Sequence, residues 1–287
     1  MTNRWILGAR PKTLPAAVVP VALGTAAVGD LGDVIWWRAA AALVVALALQ
    51  LATNFVNDYA DGERGTDDDR VGPIRLVGSG LATAREVKIA ALVSFAVAGL
   101  AGGTLALAVG PELLLVGIAS AVAAWAYTGG PRPYGYLGLG EVFVFVFFGL
   151  VATMGSTYVH IESVTGVSAA ASVLAGCLAV ALLVINNLRD IPGDTVAGKQ
   201  TLAVRLGDQR TRGFYSVLIV LSAAVIVSLG VGHPLALIGL VGLMLAVPPI
   251  KTVMGGAQGA ALIPVLGQTG RVQLVVGLLV AVGLALS

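Results

Sequence analysis

Two short segments hold most of the residues in this sequence that could do chemistry. Asn54-Phe-Val-Asn57-Asp58-Tyr59-Ala-Asp61 runs on to Gly65-Thr-Asp67-Asp68-Asp69-Arg70, and Asn186-Asn187-Leu-Arg189-Asp190 runs on to Asp194. The segments align: Asn57 and Asp61 are four residues apart, and so are Asn186 and Asp190. Spacing of four puts both members of a pair on one side of a helix, about 6 Å apart along its axis. Asp190 and Asp194 repeat the spacing, although Pro192 and Gly193 argue against a helix through them. Two facing carboxylate clusters suit Mg²⁺ that also holds a phosphorylated substrate, because this ion takes one or two carboxylates, several waters and phosphate oxygens. Basic residues accompany both clusters: Arg70 and Arg75 after the first, Arg189, Lys199 and Arg205 around the second. Guanidinium and ammonium groups bind diphosphate oxygens well. Singly, such charges read as solvated loop residues or topology signals. The matched pair of Asn-x-x-x-Asp segments carries the argument.

The elements that must position these residues are membrane helices. Charged residues make up 11% of the 287, against about 25% in a soluble domain, and mean hydropathy is +0.94. That excludes an ordinary soluble enzyme and a disordered chain. Spanning a bilayer takes about 20 apolar residues. Nine stretches qualify, at 13–31, 37–58, 85–109, 111–128, 138–159, 168–187, 212–230, 234–252 and 269–286. No short alternating segments of a β-barrel appear. The first stretch reads as a retained helix rather than a signal peptide, because Pro15 and Pro20 interrupt it without a clean cleavage site. Cys177 stands alone, so no internal disulfide framework exists.

Charge tests this topology. With the N-terminus cytoplasmic, every Lys and Arg except Arg38 falls on the inner side, as the positive-inside rule requires. Most acids follow them, in two long inner loops near 59–84 and 188–211. The two Asn-x-x-x-Asp pairs end the second and sixth stretches, which run in the same direction and present both pairs at one face. His160 and His233 fall in expected outer loops, too far apart for a metal site. The expectation is an all-α polytopic membrane protein with nine transmembrane helices in a single domain over 1–287.

Several local segments resemble the UbiA superfamily of intramembrane aromatic prenyltransferases, and within it the MenA subfamily that prenylates 1,4-dihydroxy-2-naphthoate. Asn57 through Asp67 with Arg70-Val-Gly-Pro-Ile-Arg75 is similar to the subfamily's first motif. Tyr127-Thr-Gly-Gly-Pro-Arg132-Pro-Tyr134 through Glu141 looks like its loop between the fourth and fifth helices. Asn186 through Asp194 and Gly198 to Gly207 resembles its second motif, and Arg10-Pro-Lys-Thr-Leu14 fits its start. The usual third acid of the superfamily's first motif would fall at position 65, which is Gly65; Asp67 lies two residues later.

The resemblance implies a UbiA-type bundle in the cytoplasmic membrane with its active site near the cytoplasmic face. It implies transfer of a polyprenyl group from its diphosphate to 1,4-dihydroxy-2-naphthoate in menaquinone synthesis. It implies two Mg²⁺ ions on Asn57, Asp61 and Asp67 and on Asp190 and Asp194, with Asp61, Asp190 and Asp194 catalytic. Arg70, Arg75, Lys199 and Arg205 would hold the diphosphate, and Tyr127, Arg132 and Tyr134 the aromatic acceptor or the prenyl cation. Phe143, Phe145, Phe147 and Phe148 are further candidates to shield that cation. Beyond these substrates and the bilayer, no nucleic-acid partner is expected. Two other readings stand beside this one: a prenyltransferase for another acceptor such as 4-hydroxybenzoate, and a secondary transporter. Transporter sites sit near the bilayer midplane, whereas these acids lie at one face.

Overall fold

A computed structural model describes residues 3–65, 72 and 74–287, except the Asp30 side chain; Asp67, Asp68, Asp69 and Arg70 lie outside the described residues. Every regular element among the described residues is helical. A short α1 (Arg4–Ala9) ends at Arg10, whose left-handed backbone turns the chain toward Pro11. Then follow α2 (Pro15–Ala26), α3 (Trp36–Glu63), α4 (Ala84–Ala108) and α5 (Glu112–Ala126). A continuous rod is built from α6 (Gly140–Val144), a π-helical stretch (Phe145–Val151) and α7 (Ala152–Ile161). After it come α8 (Gly166–Val196), the short α9 (Leu202–Leu206), α10 (Asp208–Gly230), α11 (Ile238–Leu243), α12 (Val247–Met254) and α13 (Leu262–Ala285).

Each expected span falls on a helix, but among the described residues seven helical segments are long and apolar enough to cross a membrane. The other two, α2 and α5, are shorter, at 12 and 15 residues. Their limits have local causes. Pro15 starts α2 at the position where its missing N–H costs nothing, and the Gly110-Pro111 corner sets the start of α5. The last helix begins at Leu262, earlier than the expected 269, so Arg271, counted with the inner side, sits exposed well within α13. His160 is likewise buried at the end of α7, where its Nδ1 accepts from the Ile35 N–H.

The doubt about Pro192 is answered against a break: α8 continues through it to Val196. Proline there leaves only the Leu188 carbonyl without its helical donor, so Asp190 and Asp194 stay on helical spacing. This helix is the axis of the bundle. Its apolar stretch is 78% buried, against 28–33% for α3, α4 and α10. Small residues let it be crowded: a Cβ on Gly149 would lie 2.6 Å from the Gly176 Cα, so the π-helical stretch and α8 touch by backbone. α3 packs chiefly on α4, α8 on α10, and α13 on α2.

At the end remote from the carboxylates, Arg38 accounts for the basic residue that broke the charge asymmetry. Its guanidinium donates to the Val159 carbonyl at 2.7 Å and the Ala108 carbonyl at 3.1 Å, the last turns of α7 and α4, where a cation meets the negative helix end.

Candidate active site

The helices enclose a cavity of about 1420 Å³. One stripe of α3 shows its character: Ala42, Val45, Ala46 and Leu49 line one half, and Gln50, Thr53, Asn54, Asn57 and Asp61 the other. The stripe recurs at helical spacing, and its polarity changes along the axis rather than around it. From Asp61 to Ala42 the cavity runs about 28 Å, close to the roughly 30 Å of a bilayer's hydrocarbon core.

Asp61, 4% exposed, is the hub of the polar end. Its Oδ1 lies 3.1 Å from Lys199 Nζ and accepts from the Tyr136 hydroxyl at 2.5 Å; its Oδ2 lies 4.0 Å from Arg75 Nη2. Lys199 follows the second motif, so this pair joins the two chain segments that the sequence matched. The neighbouring Asn57 Oδ1 accepts from the Thr128 hydroxyl at 2.7 Å. Asp58, although inside the motif, is fully buried and accepts from the Leu76 and Val77 N–H groups at 2.9 and 3.0 Å. It anchors the returning loop instead of facing the cavity.

On α8, Arg189 grips its neighbour Asp190 with Nε at 2.7 Å and Nη2 at 2.8 Å, and Nη2 also reaches Asn186 at 2.8 Å. Its guanidinium lies against Gly72, at the edge of the first loop. Asp194 lines the same cavity one helical turn beyond Asp190.

Tyr136 ties three loops together. Its ring lies under the Arg64 guanidinium at 5.3 Å and the Lys199 ammonium at 4.6 Å, contacts of cation–π type. Its carbonyl accepts from the Gln200 N–H at 3.0 Å. Arg64 continues to the carbonyls of Thr128 and Gly130. Burial first, and then the charge of Asp61, push the Tyr136 phenol well up, so it remains a donor to the carboxylate. Tyr134 is pushed up by burial alone.

Aromatic rings mark the transition to the apolar half. Tyr127 and Tyr134 have centroids 5.5 Å apart, Tyr134 stacks on Phe143 at 3.9 Å, and Phe143 on Phe147 at 6.0 Å. Phe147 and Phe148 line the cavity, whereas Phe145 turns away to pack on Gly176.

The structure therefore brings Asn57, Asp61, Arg75, Tyr127, Tyr134, Asp190, Asp194 and Lys199 to one cavity. It does not bring two others there. Arg205 is exposed and donates to the Gln200 carbonyl at 3.1 Å, and Arg132 is exposed on the loop before Tyr134. Asp67 and Arg70 lie outside the described residues. Sequence reasoning missed Tyr136, Arg64 and a deeper polar wall. In that wall Arg10 donates to the Asn54 carbonyl, and Asn54 and Gln50 both donate to the Thr13 hydroxyl. One signal was available: Gln50 is the single polar residue between Ala39 and Ala52.

The donor chemistry fits Mg²⁺. No His or Cys lines the cavity, and among the described residues no three His, Cys, Asp or Glu gather into a cage of their own. What remains is a set of carboxylate and amide oxygens from two helix ends. Such a set suits a hard ion that completes its shell with water and phosphate oxygens.

Comparison with known proteins agrees with this chemistry. A family model described as the UbiA prenyltransferase family matches residues 17–254. The 1,4-dihydroxy-2-naphthoate octaprenyltransferase of Mycobacterium tuberculosis is 50% identical over 98% of this chain and 97% of its own. The enzyme of the same name from Escherichia coli is 37% identical over 100% and 96%. Among solved structures, a UbiA homologue from Archaeoglobus fulgidus bound to GPP and Mg²⁺ superposes with TM-score 0.68 at 15% identity, covering 98% of this chain and 100% of that one. A UbiA homologue from Aeropyrum pernix matches at TM-score 0.68 and 16% identity over 95% of both.

Proposed function

The chain belongs to the UbiA prenyltransferase family, and from that premise we propose how its cavity works. The protein is a multi-pass membrane enzyme that transfers a polyprenyl group to an aromatic acceptor. The acceptor is 1,4-dihydroxy-2-naphthoate and the donor a polyprenyl diphosphate; carboxylate and diphosphate are lost and demethylmenaquinol forms, for menaquinone synthesis. The observation that carries this is the axial gradient of one cavity about 28 Å long, with carboxylates and cations at one end and an apolar wall at the other. A substrate with a diphosphate head and a long hydrocarbon tail has that shape. The naphthoate acceptor rests on the relatives named above.

In the arrangement we favour, residues 1–287 form one transmembrane domain of nine spans with the N-terminus and the polar end on the cytoplasmic side of the cell membrane. The two shorter helices, α2 and α5, complete the count. Asn57 and Asp61 would hold one Mg²⁺, and Asp190 and Asp194 a second. Bound there, Mg²⁺ supplies positive charge that stabilises the diphosphate as a leaving group.

The chain's own side chains do the rest. Lys199 and Arg75 stand within reach of the same space as Asp61 and would take diphosphate oxygens when these enter, keeping the buried charges balanced. Tyr136 holds Asp61 in one orientation through its phenol. When the allylic C–O bond breaks, its electron pair leaves with the diphosphate. The positive charge left on the prenyl carbon faces the Tyr134–Phe143–Phe147 stack, whose π faces stabilise a cation without trapping it as a nucleophile would. Loops stitched over the polar end by Tyr136 and Arg64 exclude water. The ring carbon of the acceptor then attacks and the carboxylate departs as CO₂.

The test is direct. Purified protein with polyprenyl diphosphate, Mg²⁺ and 1,4-dihydroxy-2-naphthoate should give prenylated, decarboxylated product by mass spectrometry. 4-Hydroxybenzoate should give little. Preferential prenylation of 4-hydroxybenzoate would overturn the acceptor assignment, and movement of substrate across vesicles without transfer would overturn the enzyme assignment.

A further inference from the structure

Glu141 is a carboxyl group in the first turn of a membrane helix, 5% exposed and outside the cavity lining. Its Oε1 accepts from Asn187 Nδ2 at 2.9 Å, and its Oε2 is buried without a hydrogen-bond partner. An ionisable group at membrane depth is costly to keep, and one with an unmet oxygen is costlier still. Capping its own helix does not explain why it reaches across to α8. The explanation lies in its partner. Asn187 is itself 6% exposed and does line the cavity. With its NH₂ edge turned back to Glu141, the carbonyl Oδ1 is the edge left for the cavity. An amide alone could present either edge; held by Glu141 it presents an acceptor.

Its surroundings say what it would accept from. Asn187 precedes Asp190 by three residues, about 4.5 Å along the helix, between the charged end and the apolar half. One turn deeper, Leu183 and the Tyr127 hydroxyl both lie 3.6 Å from where a Cβ on Gly140 would stand, and so flank the start of the Glu141 helix. The stacked rings of Tyr134 and Phe143 line the same cavity as Asn187. An aromatic ring seated against these faces would meet one neutral acceptor at its edge, suited to a hydroxyl donor and not to a phosphate.

We propose that Asn187, positioned by Glu141, recognises a ring hydroxyl of the aromatic acceptor. This rests on the prenyltransferase reading above. Asn187 would touch substrate; Glu141 is a positioning residue that acts through it.

The experiment compares 1,4-dihydroxy-2-naphthoate with its mono-O-methyl ether in the purified enzyme, with donor and acceptor varied separately. A site built to pair with a hydroxyl rejects the analogue that lacks it by orders of magnitude. The wild type should therefore prefer the diol by about 100-fold or more in kcat/KM. Asn187→Leu should raise the acceptor KM by about tenfold, leave the donor KM unchanged, and collapse the preference. Asn187→Ser and Glu141→Gln should move the same two quantities in the same direction, and they carry the test if the leucine variant does not fold. A preference that survives in folded variants, or a rise in donor KM instead, overturns the proposal. Wild-type enzyme that prenylates no acceptor overturns the parent reading instead, so the two failures are distinguishable.

Discussion

At the scale of the residue, Asp61 is the point on which the polar end depends, because Lys199, Tyr136 and Arg75 all converge on it. Asp61→Asn should reduce prenyl transfer by at least about 1,000-fold while the protein stays folded in detergent; near-normal turnover would remove Asp61 from the metal site. Tyr136→Phe keeps the ring between Arg64 and Lys199 and loses only the hydroxyl. Hydrogen bonds to charged groups contribute about 1.5–3 kcal/mol, so kcat/KM should fall by about 10- to 100-fold, with a lower unfolding midpoint in detergent. The acids were legible in the sequence because helical spacing repeats locally: four residues between Asn57 and Asp61 mean the same thing in any helix. Tyr136 was not legible. It reaches Asp61 across 75 residues of chain, and nothing in its neighbourhood marks it apart from Tyr134. Asp58 shows the converse, a motif carboxylate whose partners are backbone N–H groups of a loop that spacing cannot place.

At the scale of the element, hydropathy located the long apolar helices but not where each begins or ends, and it passed over the short α1 and α9. It reports composition, whereas α2 and α5 are limited by Pro15 and by the Gly110-Pro111 corner. Pro192 misled in the other direction, since near the end of α8 few helical hydrogen bonds remain for it to break. Nor does periodicity reveal a gradient that runs along α3 instead of around it. The close approach of the π-helical stretch to α8 can be tested by Gly149→Val. A branched side chain there would press on Gly176 and should destabilise the protein by about 1–3 kcal/mol, read as a lower unfolding midpoint in detergent. An unchanged midpoint would mean the two backbones can part without penalty.

At the scale of the whole molecule, the cavity links chemistry at one end to a long apolar passage. Gly117 and Gly155 line that passage with nothing within 4 Å of a Cβ, and at Gly102 the nearest atom is 3.8 Å away on Val45. Unlike Gly149 they pack against nothing, so their smallness leaves room. Gly155→Leu should cut kcat/KM for long-chain donors by about tenfold or more and spare geranyl diphosphate; equal losses for both would show that the tail lies elsewhere. Excess chelator should abolish transfer, and added Mg²⁺ should restore it. The Arg38 clip has a further consequence for motion. One guanidinium fastens the last turns of α4 and α7 to the start of α3, a clip at the pole opposite to the one that Asp61, Lys199 and Tyr136 tie together. At this remote pole one side chain spans three helix ends, so its loss frees them together. Arg38→Ala should speed amide exchange around Ala108 and Val159 before it does so elsewhere, turning a clip into loose ends.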